Sequence, residues 1–200
     1  MKKIKDYSFR ELERKFVKIY NIESLLKNMG INDIKDYSYA FAYIDVECGF
    51  TFRILGNEST GLKYIDDKYI LVRRGAGITE LNAEIIDNKE YEYAEKVLET
   101  SSVYYENKDD ILSVRNLTEI DNLRFENFPD DLQIIIQLEN GELEVMWARS
   151  ISYIKENEVI IVRLLDSSYY DKNYKEGDVV AVKYIPDADK LVVVGKVQTK

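Results

Sequence analysis

Residues 130–200 constrain the fold most. Five runs there carry apolar side chains at strand spacing: 133–139 (QIIIQLE), 142–154 (ELEVMWARSISYI), 158–165 (EVIIVRLL), 179–185 (VVAVKYI) and 191–197 (LVVVGKV). Side chains of a strand alternate between faces, so each run offers one apolar face to a core. Asn140-Gly141, Glu156-Asn157 and the stretch Pro186 to Lys190 are short turns, and Asn-Gly predicts a type I′ hairpin because both residues tolerate positive φ. Strands joined this tightly pair with their chain neighbours. The expectation is a five-stranded antiparallel meander or half-barrel.

Residues 1–129 mix periods. Ser8 and Glu11 form a capping box, followed by apolar residues at Phe9, Leu12, Phe16, Ile19, Ile22, Leu26 and Met29. That spacing predicts an amphipathic helix ending at Gly30, with a break near Asn21. From 37 to 55 the period becomes two. Tyr37, Tyr39, Phe41 and Tyr43 take one face and Ala40, Ala42, Ile44, Val46 and Cys48 the other, predicting a central strand covered on both sides. An aromatic ladder also suits RNA stacking, but Asp45 and Glu47 follow it and disfavour phosphate, so core packing is the stronger reading. A hairpin is expected around Asp66-Asp67, a strand over 81–86, a helix over Lys89 to Glu99, a short strand over 103–105, and a helix capped by Thr118. Phe128-Pro129-Asp130-Asp131 breaks the pattern. The expected class is therefore α+β: an N-terminal helix packed on an antiparallel sheet over 1–129, then an all-β part over 130–200.

The acidity is local. Residues 84–144 hold 17 Asp and Glu against 5 Lys and Arg, while the whole chain carries −9. A concentrated negative field repels phosphate and attracts basic surfaces.

Several chemistries are excluded. With no histidine and one cysteine, Ser-His-Asp and Cys-His nucleophile pairs cannot form, nor can the usual zinc ligand sets within one chain. Cys48 fits a buried, inert thiol in a reducing cytoplasm. No apolar run approaches the ~18 residues of a membrane span, and none follows Met1 at signal-peptide length. Gly75 and Gly77 start like a dinucleotide loop, but Glu80 occupies the third glycine's place, so a plain turn is expected. The acid pairs at 66/67, 109/110, 130/131 and 187/189 sit where turns are expected and lack EF-hand spacing. No cofactor and no metal is called for.

Two readings remain. In the first, the chain is a non-catalytic, cytoplasmic binder. It presents Glu90, Glu92, Glu95, Glu99, Asp109 and Asp110, with Tyr169, Tyr170 and Tyr174 of a long loop, to a basic nucleic-acid-handling protein that it binds and inhibits, without touching nucleic acid or membrane itself. In the second, Asp87 with Glu106-x-Lys108 resembles the acid and Glu-x-Lys pattern of a large nuclease superfamily. That resemblance covers three residues and implies a Mg²⁺-dependent hydrolase whose acids hold the metal while the lysine positions water. The single tryptophan, Trp147, is expected in the core.

Overall fold

The computed structural model describes residues 1–32, 36–56, 70–75, 77–106 and 108–197. Contacts divide the chain into Met1–Tyr104 and Tyr105–Lys200, whereas the sequence places its boundary at 129/130.

In Met1–Tyr104 the elements are β1 (Lys2–Lys3), α1 (Phe9–Leu12), β2 (Lys15–Tyr20), α2 (Glu23–Asn28), β3 (Tyr37–Asp45), β4 (Gly49–Gly56), β5 (Ile70–Arg73), β6 (Asn82–Ile86) and α3 (Ala94–Ser101). The strands form one antiparallel sheet in the order β1-β6-β2-β3-β4-β5. One face carries Val17, Ile19, Ala40, Ala42, Phe50 and Phe52, packed with Leu12, Ile22 and Leu26. The other carries aromatic side chains. Phe16 meets Phe41 at 5.1 Å and Tyr91 at 5.8 Å between ring centroids, and Tyr43 meets Tyr104 at 4.4 Å. The double cover expected of β3 is therefore present, and its ladder is core rather than a base-stacking platform. Burial of Tyr43 pushes its hydroxyl well above the usual tyrosine pKa.

The long N-terminal helix is not formed. The capping box holds, with Ser8 N donating to Glu11 Oε2 at 2.7 Å and Glu11 N to Ser8 Oγ at 3.3 Å, but the helix stops at Leu12. Arg14 adopts φ 58° and the chain becomes a strand until Asn21, at φ 57°, turns it into α2. Lys15–Tyr20 is claimed by pairing on both sides: Phe16 faces Phe41 and Ile86, Val17 faces Ala40 and Ile85. Aromatic and β-branched residues fill a two-sided strand slot, and tertiary pairing overrides helical spacing. The spacing still marked the core: Phe9, Leu12, Phe16, Ile19, Ile22 and Leu26 are buried, while Met29 is exposed.

Smaller expectations shift too. Val103 to Tyr105 is not a strand, because Ser102–Tyr104 is a 3₁₀ turn following α3. The helix expected from Lys89 begins as a 3₁₀ turn, Asn88–Glu90, capped by Asp87, and becomes α-helical only at Ala94. Gly77 sits at φ 81° and leads into a 3₁₀ turn, Ile78–Glu80, and Glu80 pairs with Lys3 and Lys5 at 2.9 Å instead of lining an anion loop. The Asp66-Asp67 hairpin lies outside the described residues.

In Tyr105–Lys200 the elements are α4 (Asp109–Arg115), β7 (Arg124–Phe125), β8 (Phe128–Gln137), β9 (Leu143–Ile154), β10 (Val159–Leu164), β11 (Val179–Ile185) and β12 (Lys190–Lys196). The expected five-strand meander is present as β8 to β12, and it closes. Leu191 and Val192 of β12 pair in parallel with Ile134 and Ile135 of β8. With an odd number of up-and-down strands the first and last run the same way, so closure has to be parallel. The interior is filled by Leu132, Ile134, Met146, Ile160, Val162 and Val182, with α4 contributing Val114.

Pro129, Asp130 and Asp131, read from the sequence as a break, belong to β8. Pro129 precedes the β9 register, which starts at Asp131, and lies beside a β7–β8 irregularity, where its missing N–H breaks no ladder. Thr118 starts a 3₁₀ turn, Thr118–Leu123, whose N-cap is Leu117 and carries no side-chain hydrogen bond. The hairpin at Asn140-Gly141 is present with a different turn. Gly141 alone has positive φ (82°), Gly141 N donates to Leu138 O and Leu138 N to Glu142 O. This is a three-residue loop with a left-handed third residue, not type I′.

Candidate functional site

The loop between β10 and β11 is built by Ser168 and Glu144. Ser168 Oγ and Tyr169 N both donate to the Glu144 carboxylate, and Ser168 Oγ accepts from Asp171 N at 2.7 Å and Tyr170 N at 3.2 Å. Farther along, Ser168 N donates to Tyr174 O and Tyr174 N to Asp171 O, while Asn173 N donates to Asp171 Oδ1. From β12, Lys196 reaches Asp178 at 2.9 Å, donates to Asn173 O and lies 4.9 Å from the Tyr174 ring. Lys196, then the Lys175 N–H, holds the Asp178 carboxyl below the usual carboxylate range. The loop is thus tied to β9 and to β12.

Its three tyrosines divide. Tyr174 is half-buried and packs on the barrel interior. Tyr169 and Tyr170 stand 86% and 68% exposed, with their rings in a T-shaped contact at 4.9 Å. An aromatic ring held in water by an ordered backbone gives contact area with little entropy left to lose.

The acidic candidates do not all fall in one unit. Glu90, Glu92, Glu95 and Glu99 are exposed in Met1–Tyr104, and Asp109 and Asp110 are exposed in the first turn of α4 in Tyr105–Lys200. Counted by unit, Met1–Tyr104 has 18 acidic and 16 basic side chains, a net −2, and Tyr105–Lys200 has 19 and 12, a net −7. Part of that charge is spent internally, because Asp130 pairs with Arg115, Asp131 with Arg149 and Asp121 with Arg124.

The three residues of the hydrolase reading fall in two units. Asp87 caps a 3₁₀ turn by accepting from Lys89 N at 2.9 Å, while Glu106 and Lys108 lie in the other unit, on no strand. Among the described residues no group of three Asp, Glu or Cys side chains is placed to hold a metal ion. Among the same residues no helix is long and apolar enough to cross a membrane.

Trp147 is not in the core. Met146 and Ala148 point inward, so Trp147 shares the outer face of β9 with Val145 and Arg149. It lies 5.6 Å from Phe125, which stacks on Phe128 at 5.9 Å. Sequence reasoning also missed Glu144 as the loop's clamp. The signal was present: Glu144 shares the parity of Met146 and Ala148, and a carboxylate on a core-facing register needs a partner.

Comparison with protein-family models, with curated proteins and with solved structures finds no match.

Proposed function

We propose that the protein is a non-catalytic binder of a basic protein partner, which it inhibits by covering a surface that otherwise engages nucleic acid. The observation that carries this reading is the pair Tyr169 and Tyr170, exposed on a loop pinned by Glu144 and Lys196 in the unit that carries −7. Tyrosine is a preferred contact residue at protein interfaces, and a negative field speeds encounter with a positive partner. Within the same unit, the exposed carboxylates of Asp109 and Asp110 add to that field. A partner whose phosphate-binding groove is covered in this way loses its nucleic acid.

The test is photo-crosslinking from residue 169. A photoreactive phenylalanine analogue replacing Tyr169 is expected to capture a basic protein in the source cell, with capture falling at high salt. Capture of neutral or acidic proteins with no salt dependence contradicts the reading.

A further inference from the structure

We propose that the outer face of β8 and β9 is the docking surface for a basic protein segment that brings apolar side chains with it. This rests on the binder reading and places the contact on a specific face. On a barrel strand one set of side chains fills the interior and the other meets water, and the outer set is normally polar. On β9 the outer set begins Leu143, Val145, Trp147, with Leu143 and Val145 55% and 54% exposed. Ile135 of β8 sits opposite Val145 in register. Phe125, 43% exposed, extends the apolar surface from Trp147. A depression of about 220 Å³ opens among Leu123, Ile135, Leu143 and Val145, with room for one or two aliphatic side chains.

Charge selects the occupant. Exposed Glu126 follows Phe125 directly, and exposed Glu139 and Glu142 stand on the hairpin that leads into Leu143. Lys190, beside Asp189, is the cation among the described residues that line the depression. The surface therefore pairs an apolar centre with the carboxylates of Glu126, Glu139 and Glu142 at its edge, against Lys190 and an Arg149 already neutralised by Asp131, in a unit of net −7. A second copy would bring the same negative rim against this one, and an anionic lipid surface would be repelled. A segment with aliphatic or aromatic residues flanked by Lys and Arg matches both the apolar centre and the rim.

Trp147 is the chain's only tryptophan, so its emission reports on this face. The experiment titrates the 200-residue chain with a short labelled Leu/Lys amphipathic peptide, a Ser/Lys peptide of equal charge and a Leu/Glu peptide. Trp147 emission and peptide anisotropy are read together. The Leu/Lys peptide is expected to shift Trp147 emission saturably. Its affinity should fall roughly tenfold in Val145→Ser, in the double variant Glu139→Lys with Glu142→Lys, and for the Ser/Lys peptide. Unchanged circular dichroism and melting temperature establish that the variants fold. Anisotropy rising without any Trp147 response overturns the site but leaves the binder reading standing. No binding of the Leu/Lys peptide, or equal binding of the Ser/Lys or Leu/Glu peptide, overturns the proposal, while crosslinking at residue 169 judges the binder reading separately. A concentration-dependent dimer abolished by Val145→Ser overturns it as well, because the face would then be covered by a second copy.

Discussion

Arg115 donates to Asp130 through Nε at 2.7 Å and through an Nη at 2.6 Å, and both side chains are almost wholly buried. The pair ties α4 to β8 at the point where the sequence pattern reads as a break. Removing one member leaves a charge stranded in the interior, which typically destabilises by about 3–5 kcal/mol. Asp130→Ala is therefore expected to lower the unfolding free energy by that order, read as a lower urea midpoint. The double variant Arg115→Met with Asp130→Leu should lose less than either single change, since it strands no charge. Equilibrium unfolding of the three variants checks this.

Glu144→Ala removes the acceptor for Ser168 Oγ and Tyr169 N. Hydrogen exchange should quicken at Tyr169, Tyr170 and Asp171 while the amides of β9 and β10 keep their protection. Stability should fall by about 1 kcal/mol, the usual scale of lost hydrogen bonds.

Glu11 titrates at about 2, held down first by its hydrogen bond from Lys2, then by the Ser8 N–H and the Ser8 hydroxyl. Its folded-state pKa lies below the unfolded value, so its stabilising effect is complete above the unfolded pKa. The effect is lost as pH falls from the unfolded value of 4.5 toward about 2. Glu11→Gln should flatten the acid limb of the stability curve in that window, and at neutral pH it should lose the Lys2 ion pair while the amide oxygen still accepts from the Ser8 N–H. A pH series of urea midpoints for both proteins measures it.

Three barrel hairpins end in a left-handed residue: Gly141 at φ 82°, Glu158 at φ 52° and Asp189 at φ 49°. Only the first is glycine. Asp189 is committed to Asn122 and Tyr184, whereas Glu158 makes a long, exposed contact with Lys183 at 3.7 Å. Left-handed backbone costs an L-residue roughly 1 kcal/mol, part of which glycine returns as unfolded-state entropy. Glu158→Gly is expected to raise stability by up to about 1 kcal/mol, read as a higher melting temperature.

The sequence was most informative where neighbours in the chain are neighbours in space. The strands from Gln133 to Lys196 could be read from alternation because each pairs with the next, and only the parallel β12–β8 contact, which closes the barrel, is non-local. Lys15–Tyr20 reads locally as helix because its partners Ala40 and Ile85 are distant in sequence and its apolar residues also fit a helical stripe. Asp130 and Asp131 read locally as a turn because turn preference says nothing of Arg115 and Arg149, with which they pair as strand residues. Tyr169 and Tyr170 were visible as a loop with unusual composition. The separation of Tyr174 from them depends on barrel packing that no local pattern records.

The central claim is that the acidic unit uses Tyr169 and Tyr170 to hold a basic partner. The most direct measurement is the association rate and affinity of the partner captured at residue 169, followed from low salt to about 0.5 M for the native chain and for Tyr169→Ala with Tyr170→Ala. The account predicts an association rate that falls steeply with salt and an affinity weakened at least roughly tenfold by the double change. A rate indifferent to salt, with affinity unaltered by loss of both tyrosines, would contradict it.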